Sequence, residues 1–145
     1  MNTPVAFVLA AMSMLNPEPV QAPEEVYCLA QNIYHEARST KVYEQIMVAK
    51  VTVNSAINRD TTICEEVARP WRYSWTHDKK ARIDLDNPIE REAWRLAVEI
   101  ALLTAEDEEG DWAVTHYHDH SVDPDWGFKV VYNGPNFVFY QGRLL

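Results

Sequence analysis

Glycine is scarce, four in 145 residues, and neither G-x-G-x-x-G nor G-x-x-x-x-G-K-[ST] occurs, so both nucleotide-phosphate loops are absent. Basic residues are also in deficit. With 13 Lys and Arg against 22 Asp and Glu, the formal net charge is -9. That charge repels polyanions and disfavours broad phosphate-tracking contact with DNA or RNA. No apolar run approaches the roughly 18 residues of a membrane span. There is no G-x-S-x-G elbow for a serine nucleophile, and the two cysteines form no Cys-His motif. What is present is ordinary globular material: 47% hydrophobic and 24% charged residues, in a length that fits one domain.

The longest uncharged apolar stretch is residues 4–15, PVAFVLAAMSML, the length of a signal-peptide core. Val20-Gln21-Ala22 supplies small residues at the first and third places of a cleavage site, and Pro17, Pro19 and Pro23 keep the chain extended around it. Residues 1–22 are therefore expected to be an export leader or N-terminal anchor, with 23–145 the working domain. No Lys or Arg precedes the run, and a helix docked on the core is the competing expectation. Cleavage would remove one acid, Glu18, and no base. Cys28 and Cys64 suit an oxidising compartment. Cys28 lies opposite the apolar stripe of its helix, so burial does not account for it. A bridge to Cys64 would close a loop of about 37 residues and contribute roughly 3–4 kcal/mol in the chain-entropy model; two unrelated thiols are the alternative.

Val26, Leu29, Ala30, Ile33 and Ala37 recur at helical spacing and predict a helix over about Glu24–Arg38. A second is expected over Val42–Asn58, from Val42, Ile46, Ala49, Val53 and Ile57. Thr62-x-x-Glu65 reads as a capping box for a short helix that Arg69-Pro70 ends. Asn87-Pro88 starts another, running to about Ala105. After the acidic turn Asp107–Asp111 the period becomes two, with Trp112, Val114, His116 and His118 alternating, and a strand is expected. Lys129–Tyr132 and Phe137–Gln141 read as two strands joined by the turn Asn133–Asn136. The class is α+β: helices first, then a small antiparallel sheet.

Taking Val26 as the centre of the stripe, His35 points away from the core and Glu36 falls about 80° to one side. A carboxyl there, at the negative end of a helix dipole and partly desolvated, is disposed to hold a proton and act as a general acid. An ion pair with Arg38 is the competing structural role. The segments CLAQNIYHEAR, EQIMVAKVTVNSAINR, TTICEEV, YSWTHD, THYH and NFVFY, in that order over about residues 26–140, resemble the motifs of the spore-cortex-lytic (SleB-type) cell-wall hydrolases. The sequence departs from that pattern at Ser39 and Glu44, which stand where glycines are expected. The resemblance implies a lysozyme-like domain acting on peptidoglycan, with Glu36 as catalytic acid and base and no cofactor.

Cleavage by the two-carboxylate route needs a second acid about 5–10 Å away, for which Asp78 is the first candidate and Asp84 and Asp86 follow. A lytic transglycosylase needs only one. Glycan clefts present flat apolar surfaces with polar tips, a role open to Tyr73, Trp75, Tyr117 and Trp126, with core packing the alternative; Trp112 is assigned to the core. Gln45, Ser74, Thr76 and His118 are the expected polar contacts. The expected partner is the glycan strand, bound by a monomer without a stable protein partner, in the periplasm or wall; a phage endolysin fits equally. Two rival functions remain. His116, His118 and His120 would project from one strand face and could hold zinc at about 2.0–2.1 Å for an amidase. A non-catalytic wall-binding module is the other.

Overall fold

In the computed structural model, which describes residues 4–15, 22–79, 81–106 and 114–142, the helices follow the apolar spacing. They are α1 (Pro4–Leu15), α2 (Pro23–Ala37), α3 (Val42–Arg59), α4 (Ile63–Ala68) and α5 (Pro88–Thr104), with a 3-10 turn at Ser74–His77. The starts are set locally. Thr62 and Glu65 exchange side-chain-to-backbone hydrogen bonds at 3.0 Å each, the expected capping box. Asn87 Oδ1 accepts from the Ile89 and Glu90 amides ahead of α5, satisfying donors that a helix start leaves free.

Burial then holds the helices together. α2 buries Val26, Leu29, Ala30, Ile33 and Ala37, chiefly against α5, where Trp94 is fully buried with Tyr27 and Tyr34 edge-on to it. α3 carries several β-branched residues that lower helix propensity by a few tenths of a kcal/mol each. Val48, Val51 and Val53 are buried, and each recovers about 1.5–3 kcal/mol, so packing decides. Cys28 and Cys64 are joined, Cα to Cα 5.2 Å, which ties α2 to α4. α1 lies against α2 and α5 with Val8 fully buried, and no helix among the described residues is long and apolar enough to cross a membrane.

The sheet is β1 (His116–Asp119), β2 (Lys129–Asn133) and β3 (Phe137–Gln141), antiparallel in the order β1-β3-β2. The protein is thus α+β. Among the described residues the first strand runs from His116, opposite Tyr140, to Asp119, opposite Phe137. Trp112 and the acidic turn lie outside the described residues. β2 shifts register between Val130 and Tyr132, a bulge that twists the ribbon. Phe139 and Val114 close a second core against Met47, Val48 and Val51 of α3, so the sheet is docked beside the C-terminal end of α2.

Candidate active site

Glu36 is the penultimate residue of α2. The helix stops there because Arg38 is extended and Ser39 takes φ 73°, a left-handed conformation that a non-glycine residue adopts at a cost; a glycine at this position would meet no such cost. Thr40 secures the turn, its amide and hydroxyl both donating to Ala37 O. Opposite, Tyr117 of β1 is wedged against Phe137 and Phe139. Its hydroxyl donates to Glu36 Oε1 at 2.5 Å. Desolvation raises the pKa of Glu36, and the Tyr117 hydrogen bond and the Arg72 charge offset this only in part. The result is a carboxyl whose burial favours the protonated form more than in a free side chain, with one oxygen fixed by a phenol.

Arg38 is not its partner. The Arg38 guanidinium pairs with Glu90 at 3.2 Å and lies over the Tyr34 ring. Nor does a second carboxylate act on Glu36 among the described residues: Asp78 is exposed and its field falls on His35, and Asp84, also exposed, accepts from the Asp86 amide.

Below Glu36 runs a chain of polar side chains. Asn32, one turn earlier on the same face of α2, accepts from Trp75 Nε1 at 2.8 Å and donates to Thr52 Oγ1 at 3.1 Å; Tyr73 Oη lies 2.9 Å from the same hydroxyl. All three interior members are buried and satisfied, which fixes their rotamers. Trp75 stacks on His35 at 4.5 Å. Desolvation is the main cause lowering His35 to about 4, so it is neutral near pH 7.

The other expected contacts divide. Tyr73 and Tyr117 stand with Glu36, each acting electrostatically on it or on the other, but Tyr73 is a buried phenol and not an open sugar platform. Trp75 keeps a half-buried face beside the site. Ser74 is exposed at the head of the 3-10 turn, and the Thr76 hydroxyl donates to Tyr73 O, so it stabilises the turn. Gln45 stands elsewhere. It is buried, donates to Thr40 O at 3.1 Å, and lines an open groove whose other wall is Pro88, Ile89 and Leu96 and which does not contain Glu36.

His118 and Trp126 lie on the other face of the sheet. Neighbouring strand residues point oppositely; Tyr117 faces the core, so His116 and His118 face out, both against Trp126. The three imidazoles take separate partners: Thr115 Oγ1 for His116, Tyr140 Oη and Asp119 O for His118, Gly134 O for His120. His120 leaves the strand face because Asp119 and Ser121 form a turn. Among the described residues no group of three His, Cys, Asp or Glu is placed to hold a metal ion.

Two residues escaped the sequence reading: Arg72, whose charge acts on Glu36, and Trp71, next to it in sequence and 5.9 Å from the His77 ring. Arg72 reaches Ser55 Oγ and stacks over Tyr73. Trp71 is 93% exposed with φ 65°, a strained conformation for a bulky residue, of the kind that gathers at functional sites. The one available signal was its position, two residues before the YSWTHD motif. A family model described as cell wall hydrolase matches residues 39–140, beginning three positions after Glu36. No curated protein and no solved structure matches.

Proposed function

Because the chain belongs to the cell wall hydrolase family, of the SleB type, and peptidoglycan is therefore its substrate, we propose that it cuts the glycan strand between N-acetylmuramic acid and N-acetylglucosamine as a lytic transglycosylase. The observation that carries this reading is one largely buried carboxyl, Glu36, whose burial favours the protonated form and whose Oε1 is held by Tyr117, with no second carboxylate acting on it among the described residues. Glu36 gives its proton to the glycosidic oxygen as the C1–O bond breaks, and the leaving sugar departs with a free 4-hydroxyl. The substrate's own N-acetyl group stabilises the developing positive charge, so no protein nucleophile is required. Glu36, now a carboxylate, takes the proton from the muramic C6 hydroxyl as O6 closes onto C1. The product is a 1,6-anhydro end, no water is consumed, and Glu36 is reprotonated for the next turnover.

Tyr117 assigns the work to one oxygen. By donating to Oε1 it leaves Oε2 as the proton carrier, and it steadies the carboxylate formed midway. Trp71, projecting beside Arg72 and Tyr73, is the aromatic surface proposed to stack on a sugar ring; Trp75 borders the same site. Residues 1–22 are proposed to direct export or to anchor the enzyme, which suits a substrate outside the membrane and a domain closed by a disulfide. The test is Glu36→Gln, which keeps the shape of the side chain and removes its proton. Purified sacculi should release no new glycan ends, with thermal unfolding unchanged within about 1 kcal/mol. Retained cleavage removes Glu36 from the mechanism, and binding without cleavage by the unmodified protein identifies a wall-binding module.

A further inference from the structure

Arg59 closes α3, Arg69 follows α4 and Arg72 precedes the 3-10 turn, yet all three turn toward one carboxylate. Glu66, its side chain fully buried, lies 3.6 Å from Arg59 Nε, 2.9 Å from Arg69 Nη2 and 3.4 Å from Arg72 Nε. The Arg59 and Arg69 side chains are 40% and 34% exposed, while Arg72 is 18% exposed with its Nε buried and without a hydrogen-bond partner. Among the described residues one carboxylate is thus paired with three guanidiniums, in a chain whose formal charge is -9. A guanidinium has five N–H donors. Glu66 occupies two on Arg69 and one ion-pair contact on each of the others, so Arg59 and Arg69, both partly exposed, have donors that Glu66 does not use. Like charges held close together repel, and the single Glu66 carboxylate offsets that repulsion only in part.

Position ties the cluster to the site. Arg72 is next in sequence to Tyr73, lies 5.1 Å over its ring, and its charge is felt by Glu36 and Tyr117. All three arginines act on His116, the neighbour of Tyr117 on edge strand β1.

We propose that the Arg59, Arg69 and Arg72 cluster, pre-oriented by Glu66, is a subsite for a carboxylate of the wall polymer, engaged while the glycan lies across Glu36. The inference rests on the functional reading above. The peptidoglycan repeat offers carboxylates from two sources: the stem peptide, or the lactyl group of muramic acid where the stem has been removed. Planar bidentate pairing suits guanidinium to either. A long polyanion is a poor alternative, because the acidic remainder of the surface opposes it.

Binding is the readout, measured as retention of the full chain carrying Glu36→Gln on polymer immobilised on beads, so the result does not depend on which bond is cut or on whether the polymer sediments. Three polymers are compared: intact sacculi, sacculi stripped of stem peptides by an amidase, and sacculi whose carboxyls have been converted to methylamides. Arg59→Gln with Arg69→Gln should lower affinity about tenfold, the loss of charge-assisted hydrogen bonds, and flatten its salt dependence. A loss confined to intact sacculi assigns the stem carboxylate; a loss seen only once the stems are removed assigns the lactyl group, and a loss on both shows that either carboxylate is received. On the methylamide polymer the variant and parent should bind equally, and the parent alone should bind it about tenfold more weakly than intact sacculi. That last comparison needs no arginine variant and stands even if the variant folds poorly. Arg59→Lys with Arg69→Lys should keep most of the affinity. Equal binding of the parent to all three polymers, or an equal loss by the glutamine variant on all three, overturns the proposal. If Glu36→Gln instead retained cleavage, the glycosidase reading would fail while the binding comparison remained valid.

Discussion

The pKa of Glu36 is raised because water is partly removed from it and the Arg72 charge compensates only in part. Tyr117 limits that effect by donating to Oε1. Tyr117→Phe removes a hydrogen bond that favours the ionised form, so the pKa of Glu36 should rise further. The acid must be protonated to begin the reaction, and the alkaline limb of the pH-rate profile should move to higher pH, with kcat about tenfold lower as positioning is lost. An alkaline limb moving to lower pH would show that Tyr117 is not the group holding Glu36. A second residue-scale prediction concerns Trp71. Its left-handed backbone costs about 1–2 kcal/mol, which glycine would relieve, less part of that gain for the freer unfolded chain. Trp71→Gly should therefore leave thermal stability equal or slightly higher while raising KM for sacculi several-fold. A fall in stability would make the tryptophan structural. Neither residue's role was legible beforehand. Tyr117 and Glu36 are 81 positions apart, and a positive φ leaves no trace in composition.

At the scale of elements, helix starts were readable because caps act within four residues, as Thr62 with Glu65 and Asn87 ahead of Pro88 show. The β2–β3 turn was readable as a turn, but what fixes it was not. Glu44, on α3 where a glycine was expected, is fully buried and spans to that turn. Oε2 accepts from the Asn136 and Phe137 amides at 2.9 and 2.8 Å, and Oε1 accepts from Asn136 Nδ2 at 2.9 Å. Gly134 has no side chain for the same reason: a Cβ there would meet Glu44 Oε2 at 2.7 Å. Burial pushes the Glu44 pKa up, but the hydrogen bonds outweigh it and hold it below the usual carboxylate value. Glu44→Gln presents an N–H₂ where an acceptor is needed and should cost about 3 kcal/mol, from two buried donors left poorly paired. A group with a lowered folded-state pKa stabilises above its unfolded value and ceases to do so as pH falls through the folded one. The gap in urea midpoint between parent and variant should therefore be full near pH 7 and close below about pH 4. A gap independent of pH would mean that the charge of Glu44 is immaterial.

For the molecule as a whole, the helical domain supplies the acid and the sheet supplies its clasp. α2 carries Glu36 to the seam; β1, held by β3 against α3, brings Tyr117 from the other side. The α+β class was legible because periodicity changes from helical to alternating near residue 112. Which strand face meets the helices was not, so His118 and Trp126 were grouped with Glu36 although they look outward. Charge is divided unevenly too, with an acidic surface overall and a cationic corner of three arginines beside the seam.

The most direct measurement is mass spectrometry of the soluble fragments released from purified sacculi by the parent protein and by Glu36→Gln. One-carboxyl chemistry predicts muropeptides ending in anhydromuramic acid, lighter by one water than hydrolysed ends, from the parent and none from the variant. Stem peptides released from intact glycan, or anhydro ends released by the variant, would contradict it.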